Sequence, residues 1–154
     1  MKAYAILGAA ALIGAVVGVG SLYVPSKPSA VPHAPLAAPA TFSLCHEGGG
    51  LNCVVDGDTL WMNGEKIRVA DIDAPETHPP RCDAEADLGN RATRRLAELV
   101  NAGPFEAQVA SDGRDVDRYG RKLRVLVRDG QSLGGVMVGE GLARSWTGRR
   151  QPWC

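Results

Sequence analysis

The sequence predicts an α+β domain built on a β-barrel with helices, namely an OB-type five-stranded Greek-key barrel with two or three helices. Two observations support this prediction. Five short apolar or β-branched stretches are bounded by turn residues, and two stretches show the apolar spacing of helices. All of them fit into about 110 residues, a length typical of one small barrel.

A tight hairpin is predicted near the start of the domain. Asn63-Gly64 is a strong signal for a two-residue turn, and it separates predicted strands at 59–62 and 66–72. In the second of these strands the apolar side chains fall mainly at alternate positions. We therefore expect Arg68 to point away from the apolar face.

The remaining elements follow from helical periodicity and from residues that begin or end helices. Asp83 is expected to cap the first helix, which Gly103-Pro104 ends, and Ser132 is expected to cap a short second helix. Three further strands are predicted at 51–56, 105–110 and 122–127.

The overall composition excludes several classes of protein. The 154 residues include 17 Lys and Arg against 17 Asp and Glu, so the formal net charge is zero and a uniformly basic nucleic-acid-binding protein is excluded. A nucleic acid would have to be held by a local site. A hydrophobic content of 45%, with 19 Gly and 10 Pro, is that of a folded domain rather than a low-complexity chain.

Residues 1–24 are predicted to be an N-terminal membrane anchor or signal peptide. The 21 residues from Tyr4 to Val24 carry no charge, which is enough for a membrane-spanning helix. A cleaved signal is the alternative, although its apolar core is normally only about 7–15 residues long. We expect the domain to be anchored on the outer side of the membrane, periplasmic or extracellular. After signal cleavage it would instead be secreted or periplasmic.

Residues 25–41 are predicted to be an extended linker. They contain five prolines with Ala and Ser between them. This composition favours polyproline II and cannot build a core. The folded domain is therefore expected to span residues 42–154.

The folded domain contains all four cysteines of the chain, which predicts two disulfides on the outer side of a membrane. Three pairings are open. Cys45 and Cys53 are close enough in sequence to close a hairpin, which would leave Cys82 with Cys154. A metal site of Cys45, His46 and Cys53 is the alternative, but it lacks the Cys-x2-Cys spacing of zinc modules.

Two short acidic motifs follow the ends of predicted strands. One contains Asp56 and Asp58, and the other contains Asp73 and Glu76. Clustered carboxylates repel one another unless a cation or protons neutralise them. An all-oxygen donor set suits a hard ion such as Ca²⁺ or Mg²⁺. Ordinary turn chemistry is the alternative, because Asp-Gly and Asp-Ala-Pro are common turn sequences.

Arginines accompany these motifs. Arg68 lies in the strand between them, and Asp-Arg-Tyr-Gly-Arg at 117–121 precedes the last predicted strand. A hard metal and guanidinium groups can neutralise the charge that grows on a transferring phosphorus, while a carboxylate activates water. The combination predicts a site for a phosphodiester.

Taken together, these motifs resemble the staphylococcal nuclease (thermonuclease) family, in the same order and with similar spacing. The resemblance implies an OB-type barrel with three helices and calcium-dependent hydrolysis of DNA and RNA. The matching segments are Val-Val-Asp-Gly-Asp-Thr (54–59), Arg68, Asp-Ala-Pro-Glu-Thr (73–77), Asp-Arg-Tyr-Gly-Arg (117–121) and Glu-Gly-Leu-Ala (140–143).

The resemblance also implies a role for eight residues of this chain. The implied calcium ligands are Asp58, Asp73 and the backbone carbonyl of Ala74; the implied catalytic residues are Arg68 and Arg121 on the phosphate and Glu76 at the attacking water; and the implied nucleotide contacts are Arg118 and Tyr119.

The chain departs from the family after its last helix. A short tail containing Arg149-Arg150 stands where the family has a long C-terminal helix. Two other classes of function therefore remain, a non-catalytic nucleic-acid or protein binding module on the same OB-type fold and a structural stalk domain. The complete set of acidic and arginine side chains favours the enzyme, which we expect to be monomeric.

Overall fold

The computed structural model describes residues 41–45 and 49–154. The predicted anchor or signal at 1–24 and the linker residues 25–40 lie outside this part of the chain. Within the described residues, no helix is long and apolar enough to cross a membrane.

The described residues form nine strands and two helices. Seven strands form a mixed sheet in the order β1-β2-β3-β4-β7-β6, with β8 also paired to β7, and β5 and β9 form a separate two-stranded sheet. In chain order the elements are β1 (Ser43–Leu44), β2 (Cys53–Asp56), β3 (Thr59–Met62), β4 (Glu65–Val69), β5 (Ile72–Asp73), α1 (Asp83–Asn101), β6 (Glu106–Val109), β7 (Lys122–Arg128), β8 (Gln131–Ser132), α2 (Leu133–Gly139) and β9 (Arg144–Ser145).

This arrangement confirms the α+β class and corrects the strand count. Five predicted strands are found, one of them in two parts, and the two-residue strands β1, β8 and β9 are additional. Such short strands carry too few residues to show an alternating pattern. In the described part of the chain no pairing joins β1 to β6, so a closed five-stranded barrel is not observed.

The predicted strand at 66–72 is divided between two sheets. At the break, the Ala70 N–H donates to the Arg124 carbonyl over 2.8 Å, and the Asp71 carbonyl accepts from the Trp146 N–H over 2.8 Å. The backbone therefore leaves β3 after β4 and pairs with β9 through β5. This turn places the second acidic motif beside the last strand of the domain.

Helix α1 packs closely on the loops that carry both acidic motifs. A Cβ atom at Gly57 would lie 2.7 Å from Ala92 Cβ and 2.8 Å from Ala74 Cβ. At Gly89 a Cβ atom would lie 2.9 Å from the Pro75 carbonyl oxygen. Real Cβ atoms do not approach other heavy atoms so closely, so glycine at these positions lets the helix and the loops meet.

The structure confirms one of the two predicted helix caps. Ser132 caps α2 as predicted, because its Oγ accepts a hydrogen bond from the Gly135 N–H over 2.9 Å. Asp83 is the first helical residue of α1 rather than its cap, and the capping position is held by Cys82 without a side-chain hydrogen bond. An acidic side chain in the first turn is still favoured by the helix dipole.

Both cysteine pairs are disulfide-bonded. Cys45 is joined to Cys53 and Cys82 to Cys154, with Cα–Cα distances of 5.0 Å and 6.3 Å. The first bond does not close a hairpin, because β1 and β2 run parallel. It also rules out the alternative of a metal site using these two thiols. The second bond fastens the last residue of the chain to the start of α1.

Candidate active site

The two acidic motifs meet beside helix α1. Asp58 lies in the turn between β2 and β3, Asp73 ends β5, and their exposed fractions are only 2% and 3%. The Ala74 N–H donates to Asp58 Oδ2 over 3.1 Å, and the Thr59 hydroxyl donates to Asp58 Oδ1 over 3.0 Å. Hydrogen bonds from both motifs therefore orient the Asp58 carboxylate.

Arg68 lies between these two carboxylates. Its Nη1 atom is 3.2 Å from Asp58 Oδ2, and its Nη2 atom is 3.9 Å from Asp73 Oδ1. It lies outside the hydrophobic core that contains its neighbours Ile67 and Val69, as predicted. It is nevertheless only 5% exposed, and the Trp146 ring lies 5.6 Å from its Cζ atom. Burial lowers the pKa of Arg68, and the nearby Asp58 opposes this shift. An arginine remains charged in this position.

Asp56, which is half-buried, adds a further carboxylate beside Asp58. Its Oδ1 atom accepts a hydrogen bond from the Asp58 N–H over 3.0 Å. Burial, together with the charge of Asp58, raises the pKa of Asp56 to about 6. Burial also raises the pKa of Asp73, against the opposing charge of Arg150. Burial is therefore the main reason why these two carboxylates ionise less readily than free aspartates.

The chemistry of these groups fits a hard divalent cation. Asp73 Oδ1 is buried and accepts no hydrogen bond. The described residues contain no group of three or more His, Cys, Asp and Glu side chains able to hold a metal. A cation would therefore use Asp58 and Asp73 and take its other oxygens from backbone, water or substrate, as such ions do. In the structure the backbone N–H of Ala74 donates a hydrogen bond to Asp58. The role of the Ala74 carbonyl as a metal ligand stays a prediction.

Glu76 lies on the loop that connects Asp73 to helix α1. Its backbone N–H donates to Glu85 Oε1 over 3.4 Å, and the Arg81 N–H donates to Glu85 Oε2 over 2.6 Å. Glu85 is 1% exposed, so one buried carboxylate fastens both ends of the loop to α1. Sequence reasoning missed Glu85, because acidic residues in the first turn of a helix are common for electrostatic reasons alone.

Residues 117–121, here called the arginine loop, are organised by Asp117. Its carboxylate accepts hydrogen bonds from the N–H groups of Tyr119 and Arg121 over 2.8 and 3.0 Å, and from Arg121 Nε over 2.7 Å. Burial alone would raise the pKa of Asp117, but these hydrogen bonds lower it. Arg121 Nη1 also donates to Thr59 Oγ1 over 3.3 Å, which brings the loop next to Asp58.

Arg118 and Tyr119 form the exposed part of the arginine loop. Tyr119 is 68% exposed, and its hydroxyl accepts a hydrogen bond from Arg118 Nη2 over 2.6 Å. The guanidinium groups of Arg118 and Arg121 lie 4.7 and 5.5 Å from the ring centroid. The loop thus presents an aromatic face bordered by two cations.

A cleft of about 820 Å³ extends from Arg68 and Glu76 to the arginine loop. Its walls carry more positive than negative side chains. A chain of zero net charge needs such a local positive surface to bind a polyanion. Six arginines line it, Arg68, Arg81, Arg114, Arg118, Arg121 and Arg150, against two acidic residues, Glu76 and Asp117.

Comparison with known proteins identifies the domain. The family model described as staphylococcal nuclease homologue matches residues 66–152. The chain belongs to the staphylococcal nuclease family. Endonuclease YncB of Bacillus subtilis (strain 168) is 37% identical over 98 residues, which cover 61% of this chain and 46% of that protein. Micrococcal nuclease of Shigella flexneri is 39% identical over 103 residues, which cover 58% of this chain and 53% of that protein. The chain therefore spans about half the length of these relatives.

This staphylococcal nuclease domain has one more site residue that sequence reasoning missed. Arg150, in the C-terminal tail, forms ion pairs with Asp58, Asp73 and Glu76. Neither spacing nor periodicity connects residue 150 with those carboxylates. The nearest signal in the sequence is Cys154, whose disulfide requires the tail to lie against the start of α1.

Proposed function

We propose that this staphylococcal nuclease domain hydrolyses phosphodiester bonds of nucleic acid, with Ca²⁺ as its cofactor. The observation that carries the proposal is the buried pair Asp58 and Asp73 with Arg68 between them. Arg68 lines the same cleft as Arg121. The names of the two relatives, an endonuclease and a micrococcal nuclease, support the same reaction class.

In this proposal the arginines bind the phosphate. Arg68 approaches from the buried side of the cleft and Arg121 from the arginine loop, so that two planar guanidinium groups can pair with different phosphate oxygens. A cation on Asp58 and Asp73 would add positive charge at the phosphate when bound. Because Arg68 is held by carboxylates and Trp146, it needs little reorganisation when the substrate arrives.

We assign Glu76 to the attacking water, as its general base. Its side chain is 30% exposed, so it lies at the border between the buried carboxylates and the open cleft. Glu85 holds its backbone in place. A carboxylate so placed can take a proton from water and release it to solvent.

The choice of calcium rests on the number of protein ligands. Two carboxylates with the carbonyl of Ala74 make a loose set that leaves several positions for water and substrate. Ca²⁺ accepts such flexible, high coordination, whereas Mg²⁺ demands near-ideal octahedral geometry.

We also interpret the mixed sheet as an OB-type barrel that remains open between β1 and β6.

The substrate contacts outside the reacting phosphate are assigned to the arginine loop. Arg118 can pair with a neighbouring phosphate, and the exposed Tyr119 ring can stack on a base or sugar. Both DNA and RNA fit these contacts, because none of them reads a base edge.

We further propose that the domain works as a monomer on the outer side of a membrane. Two disulfides support this location, because such bonds persist in oxidising compartments. The uncharged run at 4–24 supports a membrane anchor, and a cleaved signal is the alternative. Thiol titration of denatured, unreduced protein from its native compartment should find no free thiol, and four free thiols would contradict the location.

The direct test of function is digestion of denatured DNA and of RNA by the full chain. Cleavage is expected with Ca²⁺, with little rescue by Mg²⁺ and none in excess chelator. Asp58→Asn is the matched control, since it removes one charge at the cation site and keeps the side-chain size. Binding without cleavage in Ca²⁺ would favour the non-catalytic binding module instead. Full cleavage in chelator would contradict the calcium assignment.

A further inference from the structure

The guanidinium group of Arg150 bridges the three carboxylates of the site, Asp58, Asp73 and Glu76, here called the carboxylate cluster. Its Nη2 atom lies 3.6 Å from Asp58 Oδ2 and its Nε atom lies 3.3 Å from Asp73 Oδ1. Its Nη1 atom is paired with Glu76 Oε1. One side chain from the end of the chain thus contacts the cluster at all three members.

The position of Arg150 is fixed by the fold of the tail on both sides. Before it, β9 pairs with β5, whose last residue is Asp73 itself. After it, Cys154 is bonded to Cys82. The tail is also held by Arg144, whose guanidinium lies 3.7 Å from the Trp153 ring centroid and whose Nη1 donates to the Pro152 carbonyl over 3.0 Å. Arg150 is therefore held at the cluster by strand pairing and by a covalent bond.

Arg150 contacts the same oxygens that the proposed function assigns to the cation. Asp58 Oδ2 and Asp73 Oδ1 are both within 3.6 Å of its nitrogens, and Asp73 Oδ1 is the buried atom that accepts no hydrogen bond. Arg68 contributes the other positive charge at these two residues, from the protein interior. A divalent cation and the Arg150 guanidinium cannot occupy the same space between these carboxylates.

We propose that Arg150 is an internal counter-cation, which neutralises part of the charge of the carboxylate cluster when no metal is bound and must leave the cluster before a divalent cation can bind. The inference rests on the proposed metal site. Arg150 then lowers the affinity of the protein for Ca²⁺, and the Cys82–Cys154 disulfide strengthens this competition by keeping the tail in reach. With its side chain 33% exposed, Arg150 can move into the cleft without disturbing the core.

Calorimetric titration of the full chain with Ca²⁺ alone tests the inference without any activity measurement. Arg150→Gln should bind Ca²⁺ more tightly by about 5–150-fold, the usual range for coupled binding events. Arg149→Gln is the matched control, because it removes the same charge from the same tail at an exposed residue that does not line the cleft. It should change the affinity little.

A second readout is thermal stability. Without metal, Arg150→Gln should melt at a lower temperature than the wild type, because the cluster loses its counter-cation, and saturating Ca²⁺ should remove most of this difference. The double variant Cys82→Ser/Cys154→Ser, which frees the tail, should shift the Ca²⁺ affinity in the same direction as Arg150→Gln.

Three outcomes would overturn the inference, and they separate it from the proposed function. Equal Ca²⁺ affinity in wild type and Arg150→Gln would show that the tail does not compete, while leaving the metal site intact. Weaker binding in Arg150→Gln would show that Arg150 orients the carboxylates for the metal. If none of the three proteins, wild type, Arg149→Gln and Arg150→Gln, binds Ca²⁺, the metal site itself is refuted, and the counter-cation role with it.

Discussion

Arg68, which the carboxylate cluster holds, and Arg121, which belongs to the arginine loop, line one cleft but are positioned by different means. Arg68 lies on a strand, is 5% exposed and is held by Asp58 and Asp73, which are themselves buried. Arg121 lies on a loop, its side chain is 21% exposed, and it is held by Asp117 four residues earlier. The first arrangement depends on the packing of the whole domain, whereas the second is mostly local.

This difference predicts which properties of the protein depend on the buried group around Arg68 and which depend on the arginine loop. A change in the buried group around Arg68 should alter folding, cation binding and turnover together, because the proposed function assigns all three to the same atoms. A change in the arginine loop should alter substrate binding or turnover and leave the free energy of unfolding nearly unchanged, as exposed substitutions usually do. Substitutions at Glu76, at Arg68 and Arg121, and at Tyr119 test this separation, and they follow in order of expected effect.

Glu76→Gln should have the largest effect on turnover. It removes the basic oxygen and keeps the size of the side chain at the border between the buried carboxylates and the open cleft. General-base catalysis is typically worth about 10²–10⁴-fold, so kcat should fall within that span at saturating Ca²⁺. Steady-state kinetics measures the fall, and calorimetry should show a smaller change in Ca²⁺ affinity than in Asp58→Asn.

Two results would move Glu76 to a different role. If kcat stays near that of the wild type, the water is activated without this carboxylate. If Ca²⁺ affinity falls as far as in Asp58→Asn, Glu76 is primarily a ligand and belongs with the buried group around Arg68. The kcat values must be compared at saturating Ca²⁺, so that weaker metal binding is not mistaken for slower turnover.

Arg68→Lys and Arg121→Lys form a matched pair that tests the comparison directly. Each keeps the charge and loses the planar fork, so each should lower turnover by about 10–100-fold, since hydrogen bonds to charged groups contribute ~1.5–3 kcal/mol. Only Arg68→Lys should also lower the free energy of unfolding, by about 1–3 kcal/mol, because it leaves buried carboxylate oxygens unpaired.

Urea unfolding in chelator, with turnover measured in parallel in Ca²⁺, separates these effects. An equal loss of stability in both variants would show that the arginine loop is as much a part of the fold as the buried strand is. Near-normal turnover in Arg121→Lys would show that only charge matters at that position.

The sequence predicted the parts of the site that lie within short motifs. Asp58, Arg68 and Asp73 come together because each lies in or directly beside a strand with a recognisable pattern. The hairpin was predictable for the same reason, and Asn63 and Gly64 both have positive φ as that turn requires. Local chemistry determines such features, so a single sequence reveals them.

Arg150, Glu85 and the short strands could not be predicted in this way. Arg150 reaches the carboxylate cluster through a tail whose path depends on a disulfide spanning 72 residues. Glu85 binds loop backbone that only the approach of α1 brings within reach. Whether the sheet closes into a barrel likewise depends on pairing between distant strands. The alternation of residues along one strand does not encode such pairing.

The smallest expected effect belongs to Tyr119, the most exposed element of the arginine loop. Tyr119→Leu removes the aromatic face between Arg118 and Arg121. Stacking on a base contributes ~1–3 kcal/mol, and the low end applies to so open a ring, so KM for single-stranded DNA should rise about 5–10-fold. Tyr119→Phe keeps the face and loses only the hydroxyl bonded to Arg118, so it should raise KM less. Because the ring touches no member of the carboxylate cluster, kcat and the free energy of unfolding should stay close to wild type in both variants. A fall in kcat at unchanged KM would mean that Tyr119 positions Arg121 for the reacting phosphate, and the buried group around Arg68 and the arginine loop would then act as one unit.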